Sequence, residues 1–77
     1  MSSGIEGIGD KFLLRLYEKT VSNGIEPIDS HEIGKELGLI DEQTDNLVNI
    51  LASYGYIKKM GGSNVELLAE GRKKAEF

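Results

Sequence analysis

The sequence predicts one small α+β domain, in which three helices form the core and a two-stranded β-hairpin follows them. Three segments carry leucine, isoleucine and valine at the three- and four-residue spacing that is typical of amphipathic helices. A run of glycine, serine and asparagine at residues 61–64 then separates two short strand-like stretches, as in a hairpin turn. With 77 residues, of which 39% are hydrophobic, the chain has enough apolar side chains for one core only.

Residues 1–9 are predicted to form a flexible N-terminal lead-in to the domain at residues 10–77, because their glycines and serines show no helical or strand periodicity. Ile5 and Ile8 are the side chains of this segment that can dock on the domain. The first helix is predicted from Asp10 to Ser22, with the Asp10 carboxylate as its N-cap. Its apolar stripe consists of Leu13, Leu16, Tyr17 and Val21.

The second helix is predicted to be short. Because Pro27 disfavours a helical conformation at the preceding residue, residues 25–29 are expected to form a short strand or a loop. Asp29 or Ser30 then caps a helix that runs to Leu37 and stops at Gly38.

The third helix is predicted to begin at Asp41, as its cap, and to end near Tyr54 or Gly55. At about 100° per residue, one broad apolar face is expected to be buried. That face carries Thr44, Leu47, Val48, Ile50, Leu51 and Tyr54. The opposite face carries Glu42, Asp45, Asn46, Asn49, Ala52 and Ser53.

The hairpin is predicted to consist of strands at residues 56–60 and 65–68. Gly71 is then expected to interrupt the regular secondary structure, and residues 72–77 are expected to form a last helical turn or to fray.

Three stretches, HEIGKELGL (31–39), NLVNILASYGYIKK (46–59) and VELLAEGR (65–72), follow one another in a way that resembles the winged helix-turn-helix family. Members of that family have a three-helix core with a hairpin wing. They mostly bind DNA and often dimerise, although a minority bind proteins instead. The resemblance implies that residues 42–53 are the recognition helix, that residues 58–66 are the wing, and that a homodimer is a candidate assembly.

The charge of the chain is unevenly distributed. Residues 26–55 contain one lysine and seven acids, a net charge of −6, whereas residues 56–77 have a net charge of +2. The implied recognition helix contains no lysine and no arginine. Attraction to phosphate would therefore have to come from other parts of the chain.

The resemblance favours a small, transcription-regulator-like protein that binds double-stranded DNA. Its amide side chains can pair with adenine edges in the major groove, and cations near the hairpin can contact phosphates. The candidate residues are Asn46, Asn49, Lys59, Asn64, Arg72 and Lys73.

A protein with a basic surface is the alternative partner. Carboxylates on the implied recognition helix would each repel a nearby phosphate by on the order of 1 kcal/mol or more. The same carboxylates complement a basic protein surface. On this hypothesis the contact consists of Glu42, Asp45 and Asn49, and the sequence leaves both partners open.

Catalytic and metal-binding functions are not expected, and neither is a cofactor. The chain has no cysteine, and its one histidine, His31, is expected to be a surface residue. No apolar run approaches the 20 residues or so of a membrane span, so no membrane contact is expected. Without a signal-peptide pattern, we expect a cytoplasmic protein.

Overall fold

The structure is a computed structural model, and it describes residues 5–24 and 27–76. Within these residues it contains four α-helices and a three-stranded antiparallel sheet, so the predicted α+β class is confirmed. The elements are α1 (Asp10–Asn23), β1 (Ile28–Asp29), α2 (Ser30–Glu36), α3 (Asp41–Ser53), β2 (Ile57–Gly61), β3 (Asn64–Leu67) and α4 (Ala69–Ala75). A π-helical segment, Ile5–Gly9, leads directly into α1.

One hydrophobic core lies between the first three helices and the hairpin. Its buried apolar side chains come from α1, α2, α3, β2 and β3. They are Phe12, Leu13, Leu16, Ile33, Leu47, Val48, Leu51, Ile57 and Val65. The inward periodicity of α3 therefore places most of its opposite face in solvent, although Ala52, which was predicted on that face, packs against the core.

The apolar stripe predicted for α1 is only partly right. Leu13 and Leu16 are fully buried, but Val21 is 64% exposed, and Phe12, which the stripe omitted, is fully buried. At about 100° per residue, Phe12 and Leu16 point in nearly the same direction, whereas Val21 points about 140° away from Leu16.

Two of the three predicted helix caps are wrong. The chain is already helical at Gly9, so Asp10 does not cap α1, and its carboxylate instead lies 3.4 Å from the Lys74 ammonium. Asp41 is the first residue of α3 rather than its cap, which is Ile40. Asp29 is confirmed as the cap of α2, because its carboxylate accepts a 3.0 Å hydrogen bond from the His31 amide.

The N-terminal lead-in differs from the prediction over residues 5–9, which are helical rather than irregular. Ile8 packs against the core, and Gly9 is buried. The remainder of the lead-in, residues 1–4, lies outside the described residues, as do residues 25–26 and Phe77.

The predicted hairpin is confirmed, with its strands shifted by about one residue. β2 pairs with β3, with Ile57 opposite Leu67 and Lys59 opposite Val65, and the register shifts between Lys59 and Gly61. The sheet has three strands rather than the two predicted, because β1 pairs with the other edge of β3. β3 is therefore the central strand.

Contrary to the prediction, Gly71 does not interrupt the secondary structure, because it is a buried residue inside α4. A Cβ atom at this position would lie 2.1 Å from the Tyr56 carbonyl oxygen, so only glycine permits α4 to approach the backbone this closely. α4 packs along α1, where the Arg72 guanidinium lies 6.0 Å from the centre of the Tyr17 ring. No helix of the described residues is long and apolar enough to span a membrane.

Candidate interaction surface on helix α3

The outward face of α3 is acidic and rich in amides. Glu42, Asp45, Asn46 and Asn49 are all exposed, as predicted from the periodicity of the helix. The start of the helix is capped by Gln43, whose side-chain Oε1 atom accepts a 3.1 Å hydrogen bond from the Ile40 amide. We call Glu42, Asp45 and Asn49 the acidic face.

A polar groove of about 280 Å³ separates α3 from the hairpin. Across it, the Lys59 ammonium donates a 2.7 Å hydrogen bond to the Asn49 side-chain oxygen. Asn64 and Ser63 line the hairpin side of the groove, and Asp45 lines the helix side. Lys59 therefore already has a hydrogen-bond acceptor within the molecule.

The tip of the hairpin is fastened to α2. The Ser30 amide and hydroxyl both donate to the Ser63 carbonyl, at 2.8 and 2.7 Å. In return, the Ser63 hydroxyl donates a 2.6 Å hydrogen bond to the Asp29 carboxylate. This bond and the one from the His31 amide lower the pKa of Asp29 below its ordinary value, because both favour the charged carboxylate. We call this group, Asp29, Ser30 and Ser63, the hairpin clamp.

His31 joins α2 to the acidic face. Its Nε2 atom lies 2.8 Å from the Asp45 carboxylate, and its Nδ1 atom lies 3.8 Å from the Asp41 carboxylate. The hydrogen bond to Asp45 raises the pKa of His31, and the charge of Asp41 raises it further. When His31 is protonated, it therefore offsets part of the negative charge of the acidic face.

An apolar depression of about 270 Å³ lies on the other side of α3 from the polar groove. Its floor is the buried side chain of Leu47, and its walls come from three separate parts of the chain. Its lining residues are Ile8, Leu39, Gln43, Asn46, Leu47 and Ile50. Ile50 and Tyr54 were both predicted to be buried, but Ile50 is 43% exposed and Tyr54 is 58% exposed.

Four basic side chains on α1 and α4 form ion pairs with acidic side chains. Glu36 contacts both Arg15 and Lys19 of α1, and these two cations lower the pKa of Glu36 by stabilising its charged form. On α4, Lys73 lies 3.7 Å from Glu70 and Lys74 lies 3.4 Å from Asp10.

The predicted nucleic-acid-binding residues fall into three places. Asn49, Lys59 and Asn64 are brought together around the polar groove. Asn46 lines the apolar depression instead. Arg72 and Lys73 lie on α4, where their contacts are with Tyr17 and Glu70. The three residues of the acidic face are all exposed on α3.

Two features of the site were missed at the level of the sequence. The hydrogen bond between His31 and Asp45 joins residues that are 14 apart in the sequence, so no local sequence pattern predicts it. The sequence did contain a signal for the exposure of Ile50. At about 100° per residue, Ile50 points about 100° away from Leu51 and about 120° away from Thr44, and both of these residues are buried. Ile50 thus lies at the border of the buried face.

In comparisons with known proteins, the chain matches no family model, no curated protein and no solved structure.

Proposed function

We propose that the protein is a non-enzymatic interaction module of the winged helix type, and that the acidic face of α3 binds a protein with a basic surface. The order of α2, a tight turn at Gly38, α3 and a hairpin supports the winged helix assignment. In this arrangement α3 occupies the place of the recognition helix.

The observation that carries the proposal is the charge around α3. The helix exposes acids and has no lysine or arginine, and Lys59, the cation beside it, is hydrogen-bonded to Asn49. A duplex presents a dense row of phosphates, and its binding depends on several lysines or arginines at the contact. Carboxylates facing that row are repelled, whereas the same carboxylates facing lysines or arginines steer and orient a partner.

Titration of the isotope-labelled protein with a short Lys/Arg-rich peptide, followed by amide chemical shifts, tests the proposal. The amides of residues 41–49 are expected to move. Glu42→Lys should weaken binding by about fivefold, because one exposed ion pair contributes up to about 1 kcal/mol.

Glu70→Lys is the matched control. Glu70 is also an exposed acid in the first turn of a helix, so this variant changes the net charge and the helix-dipole interaction in the same way. Equal weakening by Glu42→Lys and Glu70→Lys would show attraction to overall charge alone and would overturn the proposal. So would a peptide that leaves the α3 amides unmoved.

Double-stranded DNA is the second candidate partner, and the polar groove favours it. Asn49, Lys59 and Asn64 surround that groove, so that one amide that can read a base edge lies next to groups that can hold a phosphate. In such a complex Lys59 exchanges its bond to Asn49 for a phosphate. Asn46 reads a neighbouring base, and Arg72 and Lys73 contact phosphate from α4.

A salt titration of binding to a random duplex tests this candidate. Binding at low salt that falls steeply as salt is raised, and that Lys59→Ala weakens, supports it. Glu42→Lys is expected to strengthen duplex binding, which is the opposite of its effect on a basic peptide. Absence of duplex binding at low salt rejects the candidate.

A further inference from the structure

Beside the acidic face lies a surface that the proposed contact with a basic protein does not include. The apolar depression is walled by Ile8 of the N-terminal segment, Leu39 of the α2–α3 turn and Ile50 of α3. Ile50 is exposed, and Ile8 and Leu39 are half-buried. Aliphatic side chains that gather around a concave surface on a small domain are typical of an interaction site, whereas single exposed ones are ordinary.

Apolar side chains also stand at both ends of α3, where Ile40 and Tyr54 are its caps, and we call Ile40, Leu47 and Tyr54 the apolar line. The three residues are seven apart, with Ile40, whose backbone is extended, before the first residue of α3 and Leu47 midway between the two caps. Ile40 is 61% exposed at one end of this line, and Tyr54 is 58% exposed at the other. They are 14 residues apart, which on a helix is about 21 Å, or about four turns of a partner helix.

Acidic charge borders this line on one side. Glu42 precedes Asn46 by four residues, and Asn46 precedes Ile50 by four, so the three form one row on α3. The acid therefore lies on the same ridge as a wall of the depression. A ligand that fills the depression with an aliphatic side chain brings its neighbouring groups next to a carboxylate.

Resting on the proposed function, we infer that the apolar depression seats the apolar side of a basic amphipathic helix, whose lysines or arginines meet the acidic face. Aliphatic side chains at spacings of three, four and seven residues fit a line of this length. Cationic residues flanking them complement the exposed carboxylates of the acidic face, Glu42 and Asp45.

A second copy of the chain fits this surface less well. Two copies that met through their depressions would bring two acidic ridges together, and each copy has a net charge of −4. Like charges at such an interface oppose association. Opposite charge on the partner removes this cost.

Three 14-residue peptides separate the parts of the inference. One has leucines on one helical face and lysines and arginines on the other, one has the same composition in scrambled order, and one has the same leucines with glutamates. The first is expected to bind at least about tenfold more tightly than the scrambled peptide, because only it can bury its leucines together. The glutamate peptide is expected not to bind. The amides of residues 8, 39 and 50 are expected to shift.

Ile50→Ser is expected to weaken binding of the amphipathic basic peptide by about tenfold, since it removes exposed apolar area at the contact. It should leave binding of the scrambled peptide unchanged. Met60→Ser is the matched control, because Met60 is 44% exposed, like Ile50, but lies on the hairpin. If Ile50→Ser alters the fold, Asn46→Arg provides the same test by placing a positive charge in the wall of the depression.

Equal affinity for the amphipathic and scrambled peptides, with no effect of Ile50→Ser or Asn46→Arg, would overturn the inference and leave the proposed function standing. If neither basic peptide moves the α3 amides, the proposed function fails as well. Binding of the glutamate peptide would overturn the charge argument. A dimer in sedimentation that Ile50→Ser converts to a monomer would assign the surface to a second copy and likewise overturn the inference.

Discussion

At the scale of single residues, the charge state of His31 couples stability to pH. Contact with Asp45 raises the pKa of His31 in the folded protein above its unfolded value of about 6.5. Protonated His31 therefore stabilises the fold. This contribution is complete below the unfolded pKa and is lost as the pH rises through the higher folded pKa.

We expect the free energy of unfolding to fall as the pH is raised from about 6 through the folded pKa of His31. Denaturant unfolding over this range measures it. His31→Gln should remove this part of the pH dependence, and Asp45→Asn should reduce it more than Asp41→Asn does, since Asp45 is closer to the ring. A wild-type curve that matches that of His31→Gln would contradict the assignment.

The residue scale also shows which parts of the site the sequence could predict. The exposure of Glu42, Asp45 and Asn49 follows from the helical period, which needs only their neighbours in the chain. The hydrogen bond from Lys59 to Asn49 and the contact of His31 with Asp45 depend on how α3 sits against the hairpin and α2. No local pattern contains that information.

At the scale of elements, the hairpin clamp joins the end of β1 and the start of α2 to the hairpin tip. Asp29 acts on both sides of this joint, because its carboxylate accepts from the His31 amide and from the Ser63 hydroxyl. α2 and the hairpin are therefore expected to respond together to changes in either one.

Asp29→Ala is expected to lower the free energy of unfolding by about 1 kcal/mol, since it removes the cap of α2. Ser63→Ala removes only the hydrogen bond from its hydroxyl to Asp29 and leaves the bonds from Ser30 to the Ser63 carbonyl in place, so it should cost less. A double-mutant cycle in denaturant unfolding measures the coupling between them, which should be favourable. Additive effects of the two changes would show that the clamp does not act as a unit.

Some elements of the fold could be predicted from the sequence, and others could not. The ends of α1, α2 and α3 were predictable because a glycine follows each helix within two residues. These glycines, Gly24, Gly38 and Gly55, have the positive φ angles that glycine adopts readily at a helix end. The sheet position of β1 and the full length of α4 were not, because both depend on distant partners. Ile28 pairs with Val65, and α4 lies against Tyr56.

At the scale of the whole molecule, α4 closes the domain against α1 and the end of the sheet. Gly71 is the point of closest approach, and the atom it approaches belongs to the backbone of Tyr56. A backbone carbonyl cannot rotate away as a flexible side chain can. The seating of α4 therefore depends on the absence of a side chain at this position.

Gly71→Ala is expected to destabilise the protein by about 1–3 kcal/mol, because the overlap with Tyr56 outweighs the higher helix propensity of alanine. For a chain of this size, each kcal/mol lowers Tm by about 4–8 °C. Thermal unfolding measures the change. Gly7→Ala is the control, since a Cβ at that position meets nothing within 4 Å. An unchanged Tm in Gly71→Ala would show that α4 can shift at little cost.

The central position of β3 has a consequence for how the protein behaves in concentrated solution. β2 pairs with β3 on one side, and its other edge has no strand beside it in the described part of the chain. Such an edge is a template for aggregation through strand pairing between molecules. Lys58 and Lys59 are both exposed on this strand, so two molecules that meet edge to edge bring like charges close to each other on both faces of the sheet. Replacement of these lysines by β-branched apolar residues would remove that protection and expose the protein to fibril formation.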